Sequence, residues 1–151
     1  LEAAPTARGT VFDLPDVVSG ASEVLGDLAA ERWSTVGGDF FKPEAIPGGH
    51  DRYVMQAIMH DWADDKAGII LRNVRAAMSP NSRLWVIDSI LDPSARDDMS
   101  KAVDMLMLTV TEGGRERTQD EWERLLGANG FRIESQTQLP LLIWVFNLAP
   151  D

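Results

Sequence analysis

The sequence of 151 residues is 44% hydrophobic, which is typical of a single domain with a sizeable core. It carries 24 acidic and 14 basic residues, and the formal net charge of −10 makes nucleic acids and anionic membrane surfaces poor partners. Cysteine is absent, which excludes disulfides, thiolate metal sites and a thiol nucleophile and fits a cytoplasmic protein. The longest apolar run, residues 139–150, is too short to cross a bilayer as a helix.

The first 40 residues predict a strand, a helix and a second strand. Residues 11–12 form the first strand, which ends before Pro15 because proline cannot donate a hydrogen bond to a neighbouring strand. A helix is expected from residue 16 to about residue 31, and the second strand includes residues 35–36. The apolar side of this helix would consist of Val17, Ala21, Val24, Leu25 and Leu28.

The middle of the chain predicts a strand, a helix and another strand. Residues 52–60 are apolar at nearly every position, as in a strand that is covered on both faces of a parallel sheet. Asp64 and Asp65 favour the start of a helix. Residues 82–91 are expected to contain the next strand, and the carboxylate of Asp88 lies near its end. The apolar stripe of the helix would consist of Ala67, Ile70, Leu71, Val74 and Met78.

The last third of the chain predicts two helices followed by two strands. A strongly apolar helix extends from about residue 98 to residue 110. Thr118 and Glu121 form a capping box at the start of the second helix. The strands cover about residues 131–138 and 141–147.

This alternation of strands and helices predicts an open α/β sheet, in which ligands bind beyond the carboxyl ends of the strands. Asp13, Asp39, His60 and Asp88 each lie at the end of a predicted strand. We therefore expect these four side chains along one edge of the sheet, where they would form a site.

Several chemistries are compatible with such a site. A metal site built on His60 and Asp61 would need further histidines, and only His50 remains, so no metal is expected. A serine nucleophile is not indicated, because the sequence has no G-x-S-x-G motif. A nucleotide site fits better, since Asp13 could accept both hydroxyls of a ribose and Asp39 could meet an adenine amino group.

Five segments in this order carry a family resemblance: VFDLPDVV, GGDFF, MHDWADDKAGIILRNVRAAM, LWVIDSIL and GGRERTQDEWERLLGANGF. They resemble the C-terminal catalytic domain of the S-adenosylmethionine-dependent O-methyltransferases of the caffeate/hydroxyindole type, which includes plant phenolic enzymes and bacterial polyketide-tailoring enzymes. The resemblance covers residues 9 to about 138. It implies a Rossmann-like class I methyltransferase sheet with helices on both faces and an antiparallel last strand.

The resemblance also implies that the cofactor is S-adenosylmethionine, which becomes S-adenosylhomocysteine in the reaction, and it implies which residues bind it. Asp13 would bind the ribose, Asp39 the adenine amino group and Phe40 the adenine ring. Gln56 stands where the family has a lysine near the cofactor, so this contact is altered or lost.

The catalytic roles follow from the same resemblance. His60 would be the general base, flanked by Asp88, which is shorter than the usual glutamate, and by Glu116. Asp61, next to His60 in the same motif, and Met107, on the helix before the Glu116 loop, would contact the acceptor, a small aromatic or polyketide-like molecule.

Elementary chemistry supports these roles. Proton transfer from a phenol with a pKa near 10 to an imidazole with a pKa near 6.5 is uphill by ~3.5 units, roughly 5 kcal/mol. Carboxylates beside the imidazole favour its protonated form, and the cofactor's sulfonium charge favours the phenolate.

Each assignment has a plain structural alternative. His60 could be a hydrogen-bonded histidine at the end of a strand, and Asp88 and Glu116 could be solvated surface charges. Asp13 could cap the next helix, and Met107 could belong to the core or to a dimer face.

The family's first strand, its glycine-rich loop and its N-terminal dimerisation domain have no counterpart in this sequence. We therefore interpret residues 1–151 as a truncated catalytic domain with a gap in its sheet, inactive in isolation, from a parent that forms a homodimer. Two alternatives remain: the same fold used for a non-methylating tailoring reaction, and a fragment that acts only in subunit interaction.

Overall fold

The computed structural model describes residues 1, 3–26, 31–94, 99–140 and 143–151. Leu28 of the predicted first helix, the starting residue 98 of the predicted apolar helix and residue 141 of the predicted last strand lie outside the described residues. The chain forms two compact units, Leu1–Gly48 and Gly49–Asp151.

The first unit contains two parallel strands that pair in register, with Val11 opposite Thr35. Both strands are confirmed, but the single predicted helix is wrong, because the described part consists of two short helices. The break between them falls at Ser19 and Gly20, where the N–H of Gly20 donates to the carbonyl oxygen of Val17, three residues back, instead of continuing the α-helical pattern. The elements are β1 (Gly9–Asp13), α1 (Pro15–Val18), α2 (Ala21–Leu25) and β2 (Trp33–Gly37), followed by a 3-10 turn (Pro43–Ala45).

The second unit is a four-stranded sheet with three helices. The strand order is β3-β4-β6-β5, with β3 parallel to β4 and β6 antiparallel to both β4 and β5. The predicted antiparallel last strand is therefore confirmed. The elements are β3 (Arg52–Gln56), a 3-10 turn (Met59–Asp61), α3 (Asp64–Ala77), β4 (Arg83–Ser89), α4 (Met99–Val110), α5 (Gln119–Ala128), β5 (Phe131–Gln138) and β6 (Ile143–Pro150).

The strands do not form one continuous sheet. Among the described residues, β1 and β2 are hydrogen-bonded only to each other, and the other four strands form a separate sheet. This break agrees with the predicted gap, and the mixture of parallel and antiparallel strands with helices confirms an α/β fold.

Strand β3 is shorter and more exposed than predicted. It ends at Gln56, because Ala57 adopts a left-handed conformation with φ 51°, which a strand cannot continue. It lies at one edge of its four-stranded sheet, and Val54 is 56% exposed. The prediction of a strand buried on both faces is therefore wrong, and His60 lies in the 3-10 turn beyond the strand.

The core of the second unit includes the region where α5 packs against α3 and against β5. All five residues of the predicted stripe on α3 are buried. Trp122 of α5 is fully buried and its ring centroid lies 5.0 Å from that of Phe146 on β6. In the described part of the chain, no helix has the length and hydrophobicity needed to span a membrane.

Candidate active site

The turn that carries His60 is held by the loop before α5. The backbone N–H of Arg115 donates to the carbonyl oxygen of His60 across 2.8 Å. Gly114 makes this approach feasible, because a Cβ atom at this position would lie 2.5 Å from the same oxygen. The glycine therefore allows two backbone segments to lie side by side at the site.

Arg117 fixes the other side of the same turn. Its side chain is fully buried, and its guanidinium donates to the carbonyl oxygens of Met59 and Trp62 at 2.8 and 2.7 Å and to Asp64 Oδ1 at 2.9 Å. The guanidinium also lies 5.4 Å from the ring centroid of Trp122. Because the arginine bonds to backbone on both sides of His60, it restrains the backbone that positions the imidazole.

His60 is bracketed by two carboxylates on one of its ring nitrogens. Its Nδ1 atom lies 3.1 Å from Oδ1 of Asp88 and 3.1 Å from Oε1 of Glu116. Asp88 and Glu116 are 4% and 2% exposed, which rules out the alternative that they are solvated surface charges. An Nδ1–H group that donates to these acids leaves Nε2 as the nitrogen that can exchange a proton with a substrate.

The two acids change the proton affinity of the imidazole. Hydrogen bonds raise the pKa of His60 to about 10, and the one with Asp88 contributes more than the one with Glu116. Burial of the imidazole opposes this rise. The third acid of this region, Asp61, has Oδ1 3.6 Å from Nε2 of His60 and a side chain that is 43% exposed.

The ligand atoms of His60, Asp88 and Glu116 lie within 4.8 Å of one another, a grouping that could hold a metal ion. It differs from the metal site considered from the sequence, which would have used the doublet of His60 and Asp61 together with a further histidine. The imidazole of His50 instead packs edge-on against Tyr53, with 5.7 Å between ring centroids. A shared Nδ1 proton accounts for both 3.1 Å contacts, because these are hydrogen-bond distances.

A cavity of about 230 Å³ adjoins His60. Both acids contribute to its wall, and Gln56 lies at its rim as an exposed residue. Met107 is buried in α4, whereas Met99 of the same helix lines the cavity. The remaining lining residues are Ala57, Ile87, Ser89, Ser100, Val103 and Ile143.

In the first unit, the carboxyl ends of β1 and β2 bring Asp13 and Asp39 into one local arrangement. The N–H of Gly38 donates to the carbonyl oxygen of Asp13 across 2.9 Å. A Cβ atom on Gly38 would lie 2.6 Å from the ring of Phe12, so the glycine is needed for this packing. Asp13 is exposed, and Asp39 and Phe40 are half-buried, which leaves polar and aromatic surface for a ligand.

The sequence model of the O-methyltransferase domain matches residues 1–132. The chain belongs to the O-methyltransferase family. It is 42% identical to a mitomycin biosynthesis 6-O-methyltransferase of Streptomyces lavendulae over 137 residues, which are 89% of this chain and 38% of that protein. The chain therefore spans about two fifths of the length of such a relative.

Solved methyltransferase structures agree with this assignment. The mitomycin 7-O-methyltransferase MmcR superposes with a TM-score of 0.91 at 37% identity, covering 100% of this chain and 44% of that one. CalO1, a methyltransferase in calicheamicin biosynthesis, superposes with a TM-score of 0.85 at 30% identity, covering 100% of this chain and 44% of the CalO1 chain. The CalO1 structure was solved with S-adenosylhomocysteine bound. S-adenosylmethionine is the cofactor of this methyltransferase family.

Three features of this O-methyltransferase chain were missed from the sequence. Ser89, Arg117 and Asp104 all bond to the elements that hold the imidazole. Ser89 directly follows Asp88, and Arg117 directly follows Glu116, so their adjacency to the predicted acids was an available signal. Asp104, whose Oδ1 accepts the N–H of Glu116 across 2.8 Å, gave no such signal because it adjoins no predicted site residue and lies in a strongly apolar helix.

Proposed function

We propose that the protein containing this chain transfers a methyl group from S-adenosylmethionine to a hydroxyl of a small aromatic or polyketide-like acceptor, with His60 as the general base. One observation carries the proposal: Nδ1 of His60 faces two buried carboxylates, beside a cavity with mainly apolar walls. The family membership supports the reaction class.

The raised pKa of His60 lowers the free-energy cost of proton transfer from the acceptor to the imidazole, which acts as a base from its neutral form. A phenol has a pKa near 10, and the pKa of His60 is raised to about 10, so proton transfer between them is close to balanced. The two acids stabilise the imidazolium that forms when the phenol loses its proton. When bound, S-adenosylmethionine supplies the methyl group and a sulfonium charge that favours the phenolate and the neutral imidazole.

The cofactor would be held by residues of the first unit. The exposed carboxylate of Asp13 suits a ribose, because it can accept hydrogen bonds from both hydroxyls. Asp39 would accept from the adenine amino group, and Phe40 would contact the ring. Gln56 would meet the cofactor with a neutral amide instead of a lysine ammonium.

The acceptor would enter the cavity beside His60. Ile87, Val103 and Ile143 provide apolar wall for a flat ring. Asp61, next to Nε2 of His60, and Met107 are the further acceptor-contacting residues in this proposal.

We further propose that this chain is the catalytic part of a cytoplasmic homodimer, and that α4 contributes to its subunit contact. Five large apolar side chains of α4 are between 51% and 70% exposed. Size-exclusion chromatography that gives a clean monomer for the whole protein would count against this part of the proposal. The five residues are Met99, Met105, Leu106, Leu108 and Val110.

A second candidate function is a non-methylating reaction of a polyketide-like substrate on the same fold. Because the pKa of His60 is about 10, the imidazole carries a proton at neutral pH and could donate a hydrogen bond to a substrate carbonyl. The neutral Gln56 at the family's lysine position leaves room for this alternative.

The decisive experiment compares His60→Gln with His50→Gln in the whole protein, using S-adenosylmethionine with a labelled methyl group and catechol-like acceptors. We expect turnover to fall by about 100-fold or more in the first variant, which is the usual contribution of a general base, and to persist in the second. Unchanged turnover in His60→Gln would exclude His60 as the general base. Substrate conversion without label transfer would favour the second candidate.

A further inference from the structure

Ser89, the last residue of β4, bonds to both acids of the site. Its backbone N–H donates to Oδ1 of Asp88 across 3.0 Å, the same oxygen that faces Nδ1 of His60. Its hydroxyl donates to Oε2 of Glu116. One residue thus holds both carboxylates against the imidazole.

Ser89 is itself held rigidly. Its carbonyl oxygen accepts a hydrogen bond of 2.9 Å from Nε1 of Trp122, which is fully buried in the core. Its backbone pairs with Ile143 at the start of β6. The hydroxyl therefore projects from a fixed backbone rather than from a loop.

The hydroxyl defines the orientation of the Glu116 carboxylate. This side chain is 1% exposed, and its two oxygens bond in different directions, Oε1 to His60 and Oε2 to Ser89. Asp104 fixes the Glu116 backbone N–H. A buried carboxylate that loses a hydrogen-bond donor is penalised, so without the hydroxyl Glu116 would turn toward other donors or solvent.

We infer that Ser89 is a positioning residue of the proposed methyl-transfer site: its hydroxyl keeps Glu116 directed at Nδ1 of His60. The inference rests on the proposed role of His60, and it identifies a residue that acts on the base through the acid. Ser89 also lines the cavity beside the imidazole.

The test is the protonation midpoint of His60, measured by NMR on histidine-labelled protein. In Ser89→Ala, the loosened Glu116 supports the imidazolium less, so we expect the midpoint to fall from about 10 by about one unit. Ser89→Thr keeps a hydroxyl and should retain the parental midpoint. The signals of His50, which packs on Tyr53, should keep their chemical shifts at fixed pH and serve as an internal control.

Kinetics of the whole protein provide the second readout. Ser89→Ala should lower kcat by about tenfold and leave KM for the acceptor unchanged, because the hydroxyl would act on the proton transfer and not on binding. Ser135→Ala, at an exposed serine of β5 in the same sheet, is the matched control and should retain the parental kcat.

Two results would overturn the inference. One is a parental His60 midpoint in Ser89→Ala, and the other is a midpoint that falls as far in Ser89→Thr as in Ser89→Ala, which would show that the hydroxyl is not the cause. If Ser89→Ala does not fold, Ser89→Cys, which replaces the hydroxyl by a weak donor, should lower the midpoint, and a parental midpoint in Ser89→Cys would overturn the inference. The NMR result does not depend on turnover, so a failure of the methyl-transfer proposal in His60→Gln can be told apart from a failure of this one.

Discussion

Nδ1 of His60 lies 3.1 Å from Oε1 of Glu116, a residue 56 positions later in the chain. The contact joins the turn after β3 to the loop before α5, and the same loop donates a backbone hydrogen bond to the carbonyl oxygen of His60. The imidazole is therefore held at both its ring and its backbone by one neighbouring segment.

The first prediction concerns the source of the His60 pKa. Replacing Asp88 by asparagine weakens the hydrogen bond that contributes most to the raised value and also removes the negative charge, so the pKa of His60 should fall from about 10 by roughly 1–3 units. NMR titration of His60 measures this directly. Asp120→Asn, at an exposed position of α5, should leave the His60 titration unchanged, and an unchanged titration in Asp88→Asn would contradict the assigned cause.

The second prediction is the pH dependence of stability. Because the folded-state pKa of His60 is raised from 6.5 to about 10, its contribution is fully present below pH 6.5 and is lost as the pH rises through 10. The urea midpoint of the parent should therefore decrease across this interval. Glu116→Gln should flatten the decrease, and a parent curve that rises between these pH values would be incompatible with a raised pKa.

The third prediction concerns the close approach at Gly114. An added methyl group would lie 2.5 Å from the carbonyl oxygen of His60, so Gly114→Ala should destabilise the fold by about 1–3 kcal/mol. Gly127 is the matched control, since nothing lies within 4 Å of a Cβ built there and it lies within α5. Gly127→Ala should be neutral or stabilising by up to about 1 kcal/mol. Equal changes in the free energy of unfolding for Gly114→Ala and Gly127→Ala, measured in urea, would contradict the close approach at Gly114.

The fourth prediction concerns Arg117. In Arg117→Met, the carbonyl oxygens of Met59 and Trp62 lose the guanidinium donor, at an expected cost of about 1–3 kcal/mol per group left unsatisfied. Arg132, whose side chain is 55% exposed and pairs with Glu134, provides the comparison. Arg132→Met should cost at most about 1 kcal/mol. Thermal unfolding of both variants would measure the difference, and comparable costs would mean that the buried guanidinium contributes little.

Local patterns were sufficient to predict most elements of the second unit. The apolar stripe of α3 and the capping box at Thr118 and Glu121 depend on residues three or four positions apart, and both are present in the structure. Prediction failed at Gly20 and Ala57, where the backbone departs from the element that hydrophobicity alone indicates. Gly20 was a local signal, because glycine weakens a helix, whereas the residue type at Ala57 gives no indication of a positive φ.

The sequence by itself determined the family motifs, the alternation of strands and helices, and the strand-end positions of His60 and Asp88, because short-range spacing and residue chemistry carry that information. Glu116 became a candidate through the family resemblance. Only the tertiary structure decided that both acids meet the same ring nitrogen and that Ser89 bonds to both of them. It also decided that Arg117 is fully buried. The physical reason is that these contacts join segments far apart in the chain, and their distances follow from how the sheet and α5 pack, which no local pattern specifies.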